Sequence, residues 1–299
     1  MTIDGKEPAM EKRRKGRLPA LLAAMAAVTL LLGSSSGAAV STPREEVAKP
    51  APVKRTAAAP RKTTDPRLPS APEKASPEGT GTGELPSPIP ETEAVEDTYF
   101  EGAVFLGDSR TEGLLLYSGL KTGHFYTAVG ATVESVFSKD AWKTEEGTKI
   151  PLLDAVAAQE SCDKIYVMLG INELGWTKTE TFRDQYTKVI DRLREDHPDA
   201  KIVLQSIPPV SAKQEAKKTY VNTARIQVYN EVIQTLAQEK QCYFLDVAAC
   251  LTGTDGLLPE KLNFDGIHLN PSGCKAWLNY LRTHSLEDEA IAAARKKSS

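Results

Sequence analysis

Five short apolar runs, separated by longer amphipathic stretches, organise residues 98–285. The runs span 104–106, 125–129, 164–169, 201–206 and 242–246, and glycine, proline or polar residues bound each of them. Short runs without internal alternation are the pattern of strands buried on both faces of a parallel sheet. Between the third and fourth, Phe182, Tyr186, Val189, Ile190 and Leu193 fall at i, i+4, i+7, i+8 and i+11, the apolar face of a helix that His197-Pro198 terminates. Ile226, Tyr229, Ile233, Leu236 and Ala237 repeat the pattern before the fifth run. Asn270-Pro271 then opens a last helix, with asparagine as N-cap and proline at its first position. Strands alternating with helices predict one α/β domain, a three-layer α/β/α sandwich around a mainly parallel five-stranded sheet. In such folds ligands bind beyond the carboxyl ends of the strands. Chemistry is therefore expected in the loops that begin at Gly107, Gly130 and Gly170 and in the loop that follows the last strand.

The pattern before residue 98 is different. Lys12-Arg13-Arg14-Lys15-Gly16-Arg17 closes a basic stretch (1–17), and no charge follows from Leu18 to Pro43. A basic start, an apolar core and the small residues Gly37-Ala38-Ala39 make residues 18–40 a secretory signal, and the uncharged run is equally long enough for a membrane anchor. Either reading leaves the basic block in the cytoplasm and everything after it outside, with the membrane as a partner of this segment. Eleven of the 19 prolines lie between Pro43 and Pro90. Residues 41–97 hold too little large apolar surface to offset the entropy of ordering, and are expected to form a disordered, extended linker. Residues 286–299 read as a charged tail. Overall charge narrows the partners: a formal net charge of −3 argues against nucleic-acid binding through a basic surface. The four cysteines form no CxxC pair or Cys/His cluster, so neither a metal nor a disulfide scaffold is expected.

The stretch Gly107-Asp108-Ser109-Arg110-Thr111-Glu112 joins the first strand to a helix, and its serine has two readings. Ser109 and Glu112 have the spacing of a capping box. Alternatively, Ser109 is a nucleophile whose own N–H lies at a helix N-terminus, where developing negative charge is favoured. Of the four histidines, His124 starts a strand at the wrong end of the sheet, His197 closes a helix and His284 trails the last one. His268 alone lies between the last strand and the last helix, three residues after Asp265. That carboxylate is placed to accept from Nδ1–H and turn Nε2 toward a nucleophile. Asn172 follows the strand-ending Gly170 and can donate to an oxyanion, or bond its own turn.

Taken together, these residues make the sequence resemble the SGNH (GDSL) hydrolase superfamily across the whole folded domain. Gly107-Asp108-Ser109, Gly130, Gly170-Ile171-Asn172-Glu173 and Asp265-Gly266-Ile267-His268-Leu269 match its blocks in order. The resemblance implies a flavodoxin-like SGNH fold, a Ser109–His268–Asp265 triad and an oxyanion hole made by Ser109, Gly130 and Asn172, with no cofactor. Glu173 stands where the family often has aspartate, which implies an effect on turn support. Asp108 is expected to bond loop N–H groups. Arg110 either steers an anionic substrate or solvates the helix start, and Trp176 is the tryptophan placed to touch substrate. The reading is an extracytoplasmic serine esterase that removes short acyl groups, acetyl foremost, from cell-wall polysaccharide or another carbohydrate. The alternatives are an O-acetyltransferase with the same triad, a lipase or thioesterase, and a catalytically silent wall-binding module. The sequence leaves the oligomeric state open.

Overall fold

The computed structural model describes residues 85, 87–160 and 162–286. The basic start (1–17), the signal or anchor (18–40), most of the linker and nearly all of the tail lie outside the described residues. Among the described residues, no helix is long and apolar enough to cross a membrane.

The main sheet contains β1 (Ala103–Gly107), β2 (His124–Thr127), β5 (Lys164–Met168), β6 (Lys201–Gln205) and β7 (Tyr243–Leu245). Its order is β2-β1-β5-β6-β7, and every neighbouring pair is parallel. The chain therefore builds the sheet outward from β1 in one direction, then crosses back and builds in the other. The switch lies between β1 and β5, and it is beyond the carboxyl ends of the strands at such a switch that α/β folds place their ligand crevice. All five predicted strands are present. A feature absent from the sequence pattern is a two-stranded antiparallel hairpin of β3 (Trp142–Lys143) and β4 (Lys149–Ile150). Each arm is two residues long, too short for any periodicity, and Trp142 anchors the hairpin against Tyr126 with ring centroids 4.8 Å apart.

Each strand shares its side chains between two cores. Val104 and Leu106 of β1 face one core, with Ile165 and Val167 of β5. That layer is closed by α2 (Leu152–Ala157), α3 (Thr179–Asp196) and, after the one-turn α4 (Ala212–Glu215), α5 (Thr223–Glu239). Ala103 and Phe105 face the other core, under α1 (Ser109–Tyr117), α6 (Val247–Leu251) and α7 (Pro271–Thr283). Phe105 stacks between Phe125 at 4.5 Å and Tyr166 at 5.0 Å, an aromatic row running across three registered strands. The result is a three-layer sandwich with α1 and α7 on the same face, so the loops that open these two helices can meet.

Residues 87–97 lie along this domain. Ile89 is buried and its N–H donates to the Phe244 carbonyl at 2.8 Å, while Asp97 pairs with Arg282 at 2.6 Å. Ile89 finds a slot in the second core and Val95 packs against it, contacts in a proline-rich stretch that averaged composition does not register.

The passage from β1 to α1 is unusually tight. A Cβ on Gly107 would stand 2.1 Å from Thr111 Oγ1 and 2.8 Å from the Met168 carbonyl oxygen. Gly107→Ala is expected to destabilise the domain by about 1–3 kcal/mol, the usual range for overpacking, measured as a lowered midpoint of urea unfolding at unchanged slope.

Candidate active site

Ser109 is the first residue of α1, and the cap of that helix is Asp108, whose Oδ1 accepts from the Arg110 N–H at 2.8 Å. The capping-box alternative for Ser109 is thereby set aside: the serine side chain is free of the cap and its hydroxyl turns to His268. Ser109 Oγ lies 3.0 Å from His268 Nε2, and His268 Nδ1 lies 2.7 Å from Asp265 Oδ2. A carboxylate can only accept, so Nδ1 carries the imidazole proton and Nε2 presents its lone pair to the serine hydroxyl.

Asp265 is held from both sides. Its Oδ1 accepts from the backbone N–H of Ile267 at 3.0 Å and of His268 at 2.8 Å, while Oδ2 takes the ring. Burial alone would raise its pKa, but the His268 ring and these N–H groups outweigh it and hold the carboxyl well below the usual range. The loop is fixed in turn by Asn263, whose Oδ1 accepts from the Gly266 N–H at 2.7 Å, and by the Phe264 N–H donating to the His268 carbonyl at 2.9 Å. Gly266 has φ +96, and a Cβ there would come within 2.7 Å of Ser211 Oγ, so both the dihedral and the space demand glycine. Neither Asn263 nor Ser211 stands out in the sequence. The only signal available was Asn263 three residues before a glycine, a spacing shared by many turns.

Two other groups expected at the site lie on the neighbouring loops. Gly130 is exposed with φ +72, in a turn closed by the Ala131 N–H donating to the Ala128 carbonyl. Asn172 is exposed after β5, and its amide donates one hydrogen to the Ala131 carbonyl at 2.8 Å. That bond orients the amide and leaves its second N–H available. The first-turn N–H of Ser109 has no partner within the helix, as for any first position. These three N–H groups sit beyond the carboxyl ends of β1, β2 and β5, adjacent strands of one sheet.

Arg110 departs from both expectations. It is only 2 % exposed, and its guanidinium pairs with Asp108 at 3.3 Å behind the serine, so it neither solvates the helix start nor faces a substrate. Charge alone suggested the surface, but residue two of this helix points into the sandwich and finds its counter-ion two residues back. Asp108 does bond the loop N–H expected of it. Trp176 is half-buried, its N–H donating to the Glu173 carbonyl at 2.8 Å. Beside it, Tyr220 lies over Gly175 and is 51 % exposed, and Phe264, next to Asp265, is 52 % exposed.

The remaining histidines serve the fold. His124 begins β2, His197 caps α3 with Nε2 2.9 Å from the Val156 carbonyl, and His284 stacks on Tyr280 with centroids 3.7 Å apart. Among the described residues, no group of three or more His, Cys, Asp or Glu side chains is placed to hold a metal ion.

No curated protein matches the chain. Among solved structures it is similar to a protein from Streptococcus pneumonia provisionally described as a platelet activating factor, at 25% identity and TM-score 0.48, over 60% of this chain and 81% of that one. It is also similar to a GDSL-like lipase from Bacteroides thetaiotaomicron, at 14% identity and TM-score 0.46, over 68% and 91% of the two chains. A carbohydrate acetylesterase from Sinorhizobium meliloti aligns at 16% identity and TM-score 0.42, over 64% and 99%. Residues 105–276 match the GDSL-like Lipase/Acylhydrolase family, a span that starts inside β1, ends inside α7 and takes in every loop described above. The chain belongs to that family of ester-bond hydrolases.

Proposed function

We propose that the protein is an extracytoplasmic serine esterase that removes short acyl groups, acetyl foremost, from carbohydrate, with cell-wall polysaccharide as the setting. The observation that carries the chemistry is the run of two hydrogen bonds from Ser109 through His268 to Asp265, with the serine at a helix N-terminus.

In this reading Ser109 Oγ attacks the ester carbonyl and its proton passes to His268 Nε2. The imidazolium so formed is stabilised by Asp265, whose depressed pKa keeps it ionised. Negative charge gathering on the former carbonyl oxygen is met by the Ser109 N–H, the Gly130 N–H and the free hydrogen of the Asn172 amide. Such donors are worth about 3–4 kcal/mol each in acyl transfer. His268 returns its proton to the departing alcohol, and then, as base again, activates the water that releases the acyl group.

One feature supports a carbohydrate on the leaving side and another supports the extracytoplasmic setting. Exposed Tyr220 and Phe264 and half-buried Trp176 offer aromatic faces beside the loops that carry the chemistry. A basic, then apolar, then proline-rich order of residues 12–90 fits a domain carried beyond a membrane.

With the full chain, acetate release from O-acetylated wall polysaccharide and from p-nitrophenyl acetate is expected for the wild type, and Ser109→Ala is expected to reduce it by about 10⁴-fold or more. Equal release by both proteins would remove Ser109 from the chemistry. No release by either would leave the transferase and the binding module ahead of the esterase.

Asp265→Asn is expected to lower kcat by a similar factor, because an amide no longer fixes the reactive tautomer. It should also change the pH dependence of stability. A carboxyl whose folded pKa is depressed stabilises the fold above its unfolded value of about 3.9, and that contribution is lost as pH falls toward the folded value. The difference in urea stability between wild type and Asp265→Asn is therefore expected to narrow as pH is lowered from neutrality through about 4.

A further inference from the structure

Glu173 is a buried acid with no part in the chemistry above. Its side chain is inaccessible, one oxygen (Oε1) accepts from the Val133 N–H at 2.7 Å, and the other (Oε2) has no hydrogen-bond partner among the described residues. Its own carbonyl accepts from the Tyr229 hydroxyl at 2.7 Å and from the Trp176 N–H at 2.8 Å, which pins the residue to α5 and to its own turn. The preceding residue is Asn172, whose amide donates to the Ala131 carbonyl. Two consecutive residues of the loop after β5 thus grip two positions of the loop after β2, one through a donor and one through an acceptor. Gly130 lies directly before the gripped segment.

We infer that Glu173 is a positioning residue for the oxyanion hole: with Asn172 it clamps residues 131–133, and so sets the Gly130 N–H against the Asn172 amide. The inference rests on the esterase reading. The turn that carries Gly130 is closed locally, by the Ala131 N–H donating to the Ala128 carbonyl at 3.1 Å, but its glycine, at φ +72, has no side chain to pack. What ties it to the loop after β5 is therefore the anchor three residues on, where the Val133 N–H donates to Glu173. Donors in such a hole act only when preorganised.

The clamp has a protonation state. Burial raises the Glu173 pKa to about 8, against the opposing pull of the Val133 N–H; nearby Asp108 adds to the rise and Arg110 opposes it. Tyr186 from α3 and Tyr229 from α5 also face this carboxyl. Below that value the group is neutral, accepting through Oε1 without placing a charge behind the hole. Ionisation at higher pH puts a negative charge beside the donors meant to receive the oxyanion.

The test uses the full chain in wild-type, Glu173→Ala and Glu173→Gln forms, with p-nitrophenyl acetate from pH 6 to 10, roughly spanning the shifted value. Glu173→Ala is expected to lower kcat by about 10–100-fold with KM changed less than about twofold, the pattern of an interaction used in the transition state. Glu173→Gln keeps the acceptor. Its kcat is expected to recover to at least about tenfold above Glu173→Ala, and to lack the decline that wild type shows around pH 8. A second measurement does not need activity or a folded alanine variant. The backbone amide resonances of Gly130 and Val133 in the wild type are expected to titrate with a midpoint near 8 and to be flat in Glu173→Gln. A kcat for Glu173→Ala within about twofold of wild type, an identical alkaline limb in wild type and Glu173→Gln, or amides that do not titrate would each overturn the inference. If the wild type cleaves no ester, the esterase reading falls, while the amide titration still decides whether the clamp exists.

Discussion

Thr111 folds back over Gly107 so closely that no side chain fits between the end of β1 and the first turn of α1. The rest of the site depends on this passage. It leaves one residue, Asp108, to cap the helix, and so delivers Ser109 as the first helical residue with its N–H unclaimed and its hydroxyl 3.0 Å from His268 Nε2. Because β1 lies at the switch in strand order, the serine arrives at the crevice rather than against a neighbouring crossover. Because α1 and α7 share a face of the sandwich, the loop that opens α7 can bring His268 to the same place.

Charge around the serine is layered. In front are His268 and Asp265, the acid partly exposed but tied by three hydrogen bonds. Behind are Asp108, Arg110 and Glu173, all buried, with one ion pair between the first two. A buried pair of this kind adds little net stability, because desolvation offsets attraction. Its effect is to fix the start of α1, while burial raises the Glu173 pKa and so favours its neutral form over an unpaired buried charge. One acid is held ionised by hydrogen bonds and another is held neutral by burial, on two different loops around the same serine.

Much of this was legible in the chain. Strands buried on both faces and helices with a single apolar stripe announce themselves by period, and the predicted runs all reappear as β1, β2, β5, β6 and β7. Asn270-Pro271 marks the start of α7 through local chemistry alone. Ser109 was found because it directly follows a strand end that the fold rule singles out, and Asp265 and His268 because they lie between the last strand and the last helix, although α6 separates them from the end of β7. What stayed hidden depends on contacts distant in sequence. Arg110 reads as a surface charge until the sandwich closes over it. Glu173 reads as turn support, which it is, but its partner at Val133 lies 40 residues earlier. Ser211 matters only because its backbone and hydroxyl meet Gly266 from another loop. Periodicity carries no information about such pairings, and the two-residue arms of the β3–β4 hairpin are below the length at which it could.

The central claim is that Ser109, activated by His268, is the nucleophile. The most direct measurement is covalent: incubation of the full chain with a fluorophosphonate, followed by intact-mass and peptide mapping. The account predicts a single adduct per chain, carried on Ser109, with formation slowed strongly in His268→Gln and absent in Ser109→Ala. An adduct on a different serine, or none in a folded wild-type protein, would contradict it.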